Sequence, residues 1–164
     1  MAQQQDQILR QGGDKTVGRY AHLLRRELVV AQRFGIGVGR AQLKRFYKYH
    51  FIGANPPDME LVPVSRTIGT DQLVDEMVIR FTHTAEIDWM LPGVAPTGKY
   101  VEIAMVAIIS FRGDKLYHEH IYWDQASVLV QVGLLDPALL PVAGVETARK
   151  LLDETLPSNE LLKR

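Results

Sequence analysis

Two long alternating runs, Tyr100 to Phe111 and Leu116 to Trp123, stand on either side of Arg112-Gly-Asp114. Apolar residues at every second position over such lengths read as β-strands, and the short Gly-containing connection makes them an antiparallel hairpin. Asp124 follows at once and begins the pattern Gln125-Ala-Ser-Val-Leu-Val-Gln-Val-Gly133. Aspartate is a preferred helix N-cap and glycine suits the position just past a helix end. The second strand, His118-Glu-His-Ile-Tyr-Trp123, is crowded with titratable and aromatic groups. A strand of this kind running into a capped helix is how a cone-shaped α+β fold lines its pocket.

Side chains alternate across a strand, so the faces can be assigned. In Tyr100 to Phe111 the set Val101, Ile103, Met105, Ala107, Ile109 and Phe111 is wholly apolar and should face the interior. The same logic turns Met77, Ile79, Phe81 and His83 inward and Glu76, Arg80 and Thr82 outward. His83 is then the polar member of an apolar row.

Upstream, Asn55-Pro-Pro-Asp58 is a turn, and Met59 to Thr67 and Leu73 to Thr84 read as a strand pair joined through Ile68-Gly-Thr-Asp71. Lys15 to Phe34 carries apolar residues at spacings of three and four, an amphipathic helix with Asp14 as its cap. Gly35-Ile-Gly-Val-Gly39 breaks it, and Arg40 to His50 resumes the helical pattern. The Gly-x-Gly-x-Gly run follows a helix rather than a strand, so it reads as a helix-breaking turn and not as a dinucleotide loop. Glu146 to about Thr155 is a last short helix. Residues 1–14 read as a polar tail and 15–164 as one domain. The whole is α+β, with N-terminal helices packed on one face of a curved, mainly antiparallel sheet.

Composition narrows the chemistry. Nineteen basic residues balance nineteen acidic ones, so no net field recruits nucleic acid. The cluster Arg25, Arg26, Arg33, Arg40, Lys44, Arg45 and Lys48 reads as a solvated helical face. The absence of cysteine removes disulfides, thiolate nucleophiles and thiolate metal sites. No apolar run approaches the roughly 20 residues that cross a bilayer, and the N-terminus lacks a secretory pattern, so a cytoplasmic protein without a membrane partner is expected.

Phe81-Thr-His83, Trp89-Met-Leu-Pro-Gly-Val-Ala-Pro-Thr-Gly98, His118-Glu-His-Ile-Tyr-Trp-Asp-Gln125 and Pro157-Ser-Asn-Glu-Leu161 together resemble the SnoaL-like branch of the nuclear transport factor 2 (NTF2)-like superfamily. They are most similar to small domains found alone or attached to dienelactone hydrolase (carboxymethylenebutenolidase)-like proteins. The resemblance runs from about Met59 to Leu161. It implies an α+β cone with a pocket between the sheet and the helices, commonly in a homodimer, acting on or binding a small hydrophobic molecule without a cofactor. Superfamily members include polyketide cyclases, isomerases, epoxide hydrolases, dehydratases and non-catalytic modules, so the fold alone does not decide the activity. In the epoxide hydrolases a catalytic Asp stands three residues ahead of the capping Asp; here that position is Ile121, which argues against epoxide chemistry.

The inward acid two residues earlier is Glu119, and with His83 it forms the expected catalytic pair. An apolar wall would raise the carboxyl pKa and lower that of the imidazole, bringing both toward neutrality. The expected binding wall is Trp123, Trp89, Phe81, Ile103, Met105, Ile121 and Tyr47, with Asn55 and Tyr49 on the helical side. A mutually satisfied buried Glu119–His83 pair is the structural alternative. The opposite strand parity would instead place His118, His120 and Tyr122 in the pocket. His118 and His120 could also supply half a metal site with Glu102 or Asp114, although solvent or interface roles are commoner for such imidazoles and no metal is expected. Asp124 reads as a helix cap and Asp88 as a surface acid.

Overall fold

The computed structural model describes residues 40–158 and 161. The expected helix over 15–34, its cap at Asp14, the glycine break at 35–39 and the N-terminal tail lie outside the described residues. A short helix α1 (Arg40–Phe46) passes directly into a π-helical turn, Tyr47–Phe51. Four strands follow, β1 (Glu60–Ile68), β2 (Gln72–Thr82), β3 (Tyr100–Arg112) and β4 (Lys115–Trp123), and then the helices α2 (Gln125–Gln131) and α3 (Glu146–Leu152).

The strands form one antiparallel sheet in the order β1-β2-β3-β4. Between β3 and β4 the chain turns through Gly113, whose φ of 59° is the left-handed conformation that glycine adopts without a side-chain clash. Across the sheet the rows Ile79–Ile103, Met77–Met105–Trp123, Asp75–Ala107–Ile121 and Leu73–Ile109–Glu119 share one face. This is the concave face. Its mainly apolar rows bury against Ile87, Met90 and Leu91 of the β2–β3 loop, Val128 and Val132 of α2, and the half-buried Tyr47. The parity expected for β2 and β3 therefore holds.

The other, convex face carries α3. Glu102, 6% exposed, is held there between Arg80 of β2 at 3.0 Å and Arg149 of α3 at 2.8 Å. Asp124 caps α2 as its position suggested, accepting from the backbone N–H groups of Ala126 (2.9 Å) and Ser127 (3.3 Å). The chain leaves α2 through Gly133 at φ 80°. No described helix is long and apolar enough to cross a membrane.

Candidate active site

Glu119, Ile121 and Trp123 lie on the concave face of β4, opposite Ile109, Ala107 and Met105. His118, His120 and Tyr122 oppose Ser110, Ile108 and Val106 and so line the convex face. There the three rings follow one another along the strand, with centroids 4.8 Å apart for the tilted His118–His120 pair and 6.5 Å for the edge-on His120–Tyr122 pair. The inverted parity is not the one realised. Glu102 is committed to two arginines, and among the described residues no three His, Asp or Glu side chains converge as a metal site would require.

The Glu119 carboxyl is pushed up to about 7. Burial is the main cause, because the ionised form loses water solvation. The negative charge of Asp75 adds to it, and a hydrogen bond from the Tyr47 hydroxyl partly offsets both. Tyr47 reaches the carboxylate because the π-helical turn lies over the sheet. That turn is pinned at its far end, where Phe51 packs on Trp89 at 5.6 Å and His50 Nδ1 pairs with Asp88 at 3.0 Å. Asp88 is thus a rim residue tying the turn to the loop.

The two indoles expected in the binding wall pack on each other. Trp89 meets Trp123 edge-to-face at 5.7 Å. Each indole N–H has an internal acceptor: Trp89 donates to Asn55 Oδ1 at 2.9 Å, and Trp123 donates to Gln125 Oε1 at 2.7 Å. Gln125 in turn donates to the Met90 carbonyl at 2.9 Å, which locks β4, α2 and the loop together. Tyr49 points away and is 61% exposed.

His83 does not join Glu119. It lies one residue past the end of β2, ten residues beyond Leu73, the β2 residue in the Glu119 row. At about 3.3 Å per residue that is roughly 30 Å along the sheet. The two groups are also separated laterally by β3, so neither a shared substrate nor a mutual hydrogen bond is within reach. His83 has no exposed surface; Nδ1 accepts from the backbone N–H of Thr97 at 3.3 Å and lies 3.1 Å from its hydroxyl, while Nε2 has no partner. Phe81 and Ile103 are buried to 0% and 1% exposure at the same solid end of the core. These three residues pack the fold and leave no surface for a ligand to touch.

In place of His83 the fold brings Asp75 and Arg66 to the Glu119 end of the concave face. Arg66 Nη2 donates to Asp75 Oδ2 at 2.6 Å, and Arg66 Nε donates to Oδ1, a bidentate pair. Asp75 is 4% exposed and opposes Ala107. Extending the inward row Met77, Ile79, Phe81 by one step toward the N-terminus would have found it. Arg66 carries no comparable signal.

No protein-family model matches the sequence, and no curated relative is found for it. Solved structures do share its fold. A "Putative SnoaL-like polyketide cyclase" from Jannaschia sp. CCS1 is similar over 82% of this chain and 92% of its own, with 16% identity and a TM-score of 0.60. A "putative polyketide cyclase" from Acidithiobacillus ferrooxidans covers 80% and 91% at 18% identity and a TM-score of 0.58. An NTF2-like protein from Burkholderia pseudomallei covers 80% and 95% at 13% identity and a TM-score of 0.53. At these identities the likeness establishes the NTF2-like α+β fold. The link to dienelactone hydrolases is not carried by these structures.

Proposed function

We propose that the chain is a cofactor-independent, SnoaL-like enzyme in which Glu119 performs general acid–base chemistry on a small hydrophobic cyclic, carbonyl or lactone substrate. The observation that carries this reading is a carboxyl with a pKa of about 7, hydrogen-bonded by Tyr47 and set on the same strand face as Ile121 and Trp123, whose indole packs on Trp89. A carboxylate of that basicity is matched to proton transfer at neutral pH. It would take a proton from the carbon next to a carbonyl, leaving an enolate. Returning the proton at another carbon gives an isomer; attack of the enolate carbon on a second carbonyl of the same molecule closes a ring, with the proton held by Glu119 passed to the alkoxide oxygen that forms. Trp89, Trp123 and Ile121 would hold the apolar body of the substrate, and Tyr47 would keep the carboxyl oriented. The polyketide cyclase names of two structural neighbours are consistent with this class of substrate.

A second reading is a non-catalytic binding module. It is favoured by the two indole N–H groups, both already satisfied inside the protein. Exchange of α-hydrogens for deuterium, followed by NMR on a panel of cyclic ketones and lactones, separates the two. The enzyme reading expects exchange by the native chain on some members and a loss of about 100-fold or more in Glu119→Gln. Ligands that bind equally to both proteins without exchange would establish the module instead.

A further inference from the structure

The Arg66–Asp75 pair, a buried carboxylate held by an arginine that reaches solvent, is an ionic element that the chemistry assigned to Glu119 does not use. Its position is set by two facts of the sheet. Asp75 opposes Ala107, and Ala107 opposes Ile121, so Asp75 stands on the concave face one two-residue step from the Leu73–Ile109–Glu119 row. Between the two carboxylates the face carries Ala107, opposite Asp75, and Ile109, opposite Glu119. From the strand spacing and rise, their Cα atoms are about 12 Å apart, and both side chains project from the same concave face.

An ionised aspartate that is 4% exposed is costly unless paired, and the bidentate guanidinium supplies that pairing. We propose that Asp75, fixed by Arg66, is a positioning residue for Glu119: from the adjacent row of the same sheet face it presents a fixed negative charge that helps hold the proton on the Glu119 carboxyl. This rests on the proposed acid–base role and deepens it. The described groups that face Glu119 are few. Tyr47 approaches from the helical turn, and Asp75 with Arg66 from β2 and β1. The β3 positions beneath it, Ala107 and Ile109, have no charge, and His118 and His120 point to the other face. The shift of the Glu119 carboxyl has Asp75 among its causes, second to burial.

The test needs no substrate. The native protein and its variants are labelled with 13C at glutamate carboxyls, Glu119 is assigned by its loss in Glu119→Gln, and each protein is titrated. Asp75→Asn keeps the shape of the side chain and removes its charge, so the Glu119 inflection should fall by about half a unit to one unit. Arg66→Met leaves two carboxyls on this face without a cation, so they titrate as a coupled pair whose upper inflection should lie above the native Glu119 value. Arg66→Met/Asp75→Asn should fall between the two single variants, which separates the charge of Asp75 from that of a released arginine. An inflection within 0.2 units, about the precision of the titration, in both single variants would overturn the proposal. Should Asp75→Asn not fold, Arg66→Met alone decides it by the direction of its shift. Because the readout is the carboxyl itself, titrations that move while exchange is absent would sink the enzyme reading and leave this coupling intact. Titrations that stay still while Glu119→Gln loses activity would do the reverse.

Discussion

The backbone N–H of Thr97 points at Nδ1 of His83, 3.3 Å away, and so fixes the imidazole proton on the opposite nitrogen, Nε2. A backbone amide can only donate, so Nδ1 must accept. His83 is therefore a neutral donor facing the core, and its burial lowers its pKa below the ordinary value for histidine.

The sign of its effect on stability follows. Below about pH 6.5 the unfolded chain takes up a proton that the folded chain refuses, so the unfolded state gains. The contribution of His83 is complete above pH 6.5 and declines as pH falls toward its depressed folded value. His83→Asn, which retains an acceptor for Thr97, should flatten the thermal-midpoint profile between pH 6.5 and 5 relative to the native protein. An unchanged slope would place the acid sensitivity elsewhere.

Glu119 has the opposite behaviour. Its folded pKa of about 7 lies above the ordinary 4.5, so the folded state holds the proton longer. Stability from this group is complete below pH 4.5 and is lost as pH rises through 7. Because the residue is half-buried, the full shift overstates the cost; about 1–3 kcal/mol is the expected range. Glu119→Gln should accordingly raise the stability at pH 8 by about that amount and change little at pH 4.5, as measured by urea unfolding at the two values. A variant that is less stable at pH 8 would mean that the carboxylate is well solvated.

Gln131 completes the sheet where β4 has ended. Residues 100–104 of β3 extend beyond the last β4 pair, Met105–Trp123, and the Gln131 amide takes the vacant partner's place. It accepts from the Glu102 N–H at 2.9 Å and donates to the Glu102 carbonyl at 2.9 Å. Gln131→Ala leaves both backbone groups without that partner and should cost about 1–3 kcal/mol in urea unfolding. Gln131→Glu should cost a similar amount, since it cannot donate to the carbonyl while ionised. A loss below 0.5 kcal/mol in both would show that water replaces the amide at little cost.

Much of this arrangement is legible along the chain because alternation is local. The face of β4 that carries Glu119, the inward rows of β2 and β3, and the Asp124 cap all follow from side-chain period and capping chemistry. The partnership of Glu119 does not. Parity tells which face a residue occupies, but the stagger between strands decides how far along the sheet it lies, and that stagger put His83 at the far end. Arg66 was hidden for a different reason. A bulge between Pro63 and Ser65 shifts the register of β1, so that Pro63 opposes Met77 but Arg66 opposes Asp75. The inward parity of β1 thus changes from odd to even positions midway, which no alternation in the sequence announces.

Tyr47 is the remaining handle on the site, and its removal separates orientation from basicity. Its hydroxyl favours the ionised form of Glu119, so Tyr47→Phe should raise the carboxyl inflection above 7. Asp75→Asn should lower the same inflection. If Glu119 is the general base, the acid limb of the exchange rate follows these shifts, moving to higher pH in Tyr47→Phe. The phenyl ring keeps the contacts that Tyr47 makes with Phe46 and Phe51 at 5.6 and 5.4 Å, so the turn should stay folded and binding should change little. A rate profile that keeps its limb while the carboxyl inflection moves would assign the base to another residue. A limb and an inflection that move together would tie the proton transfer to Glu119, because the hydroxyl is bonded to that carboxyl.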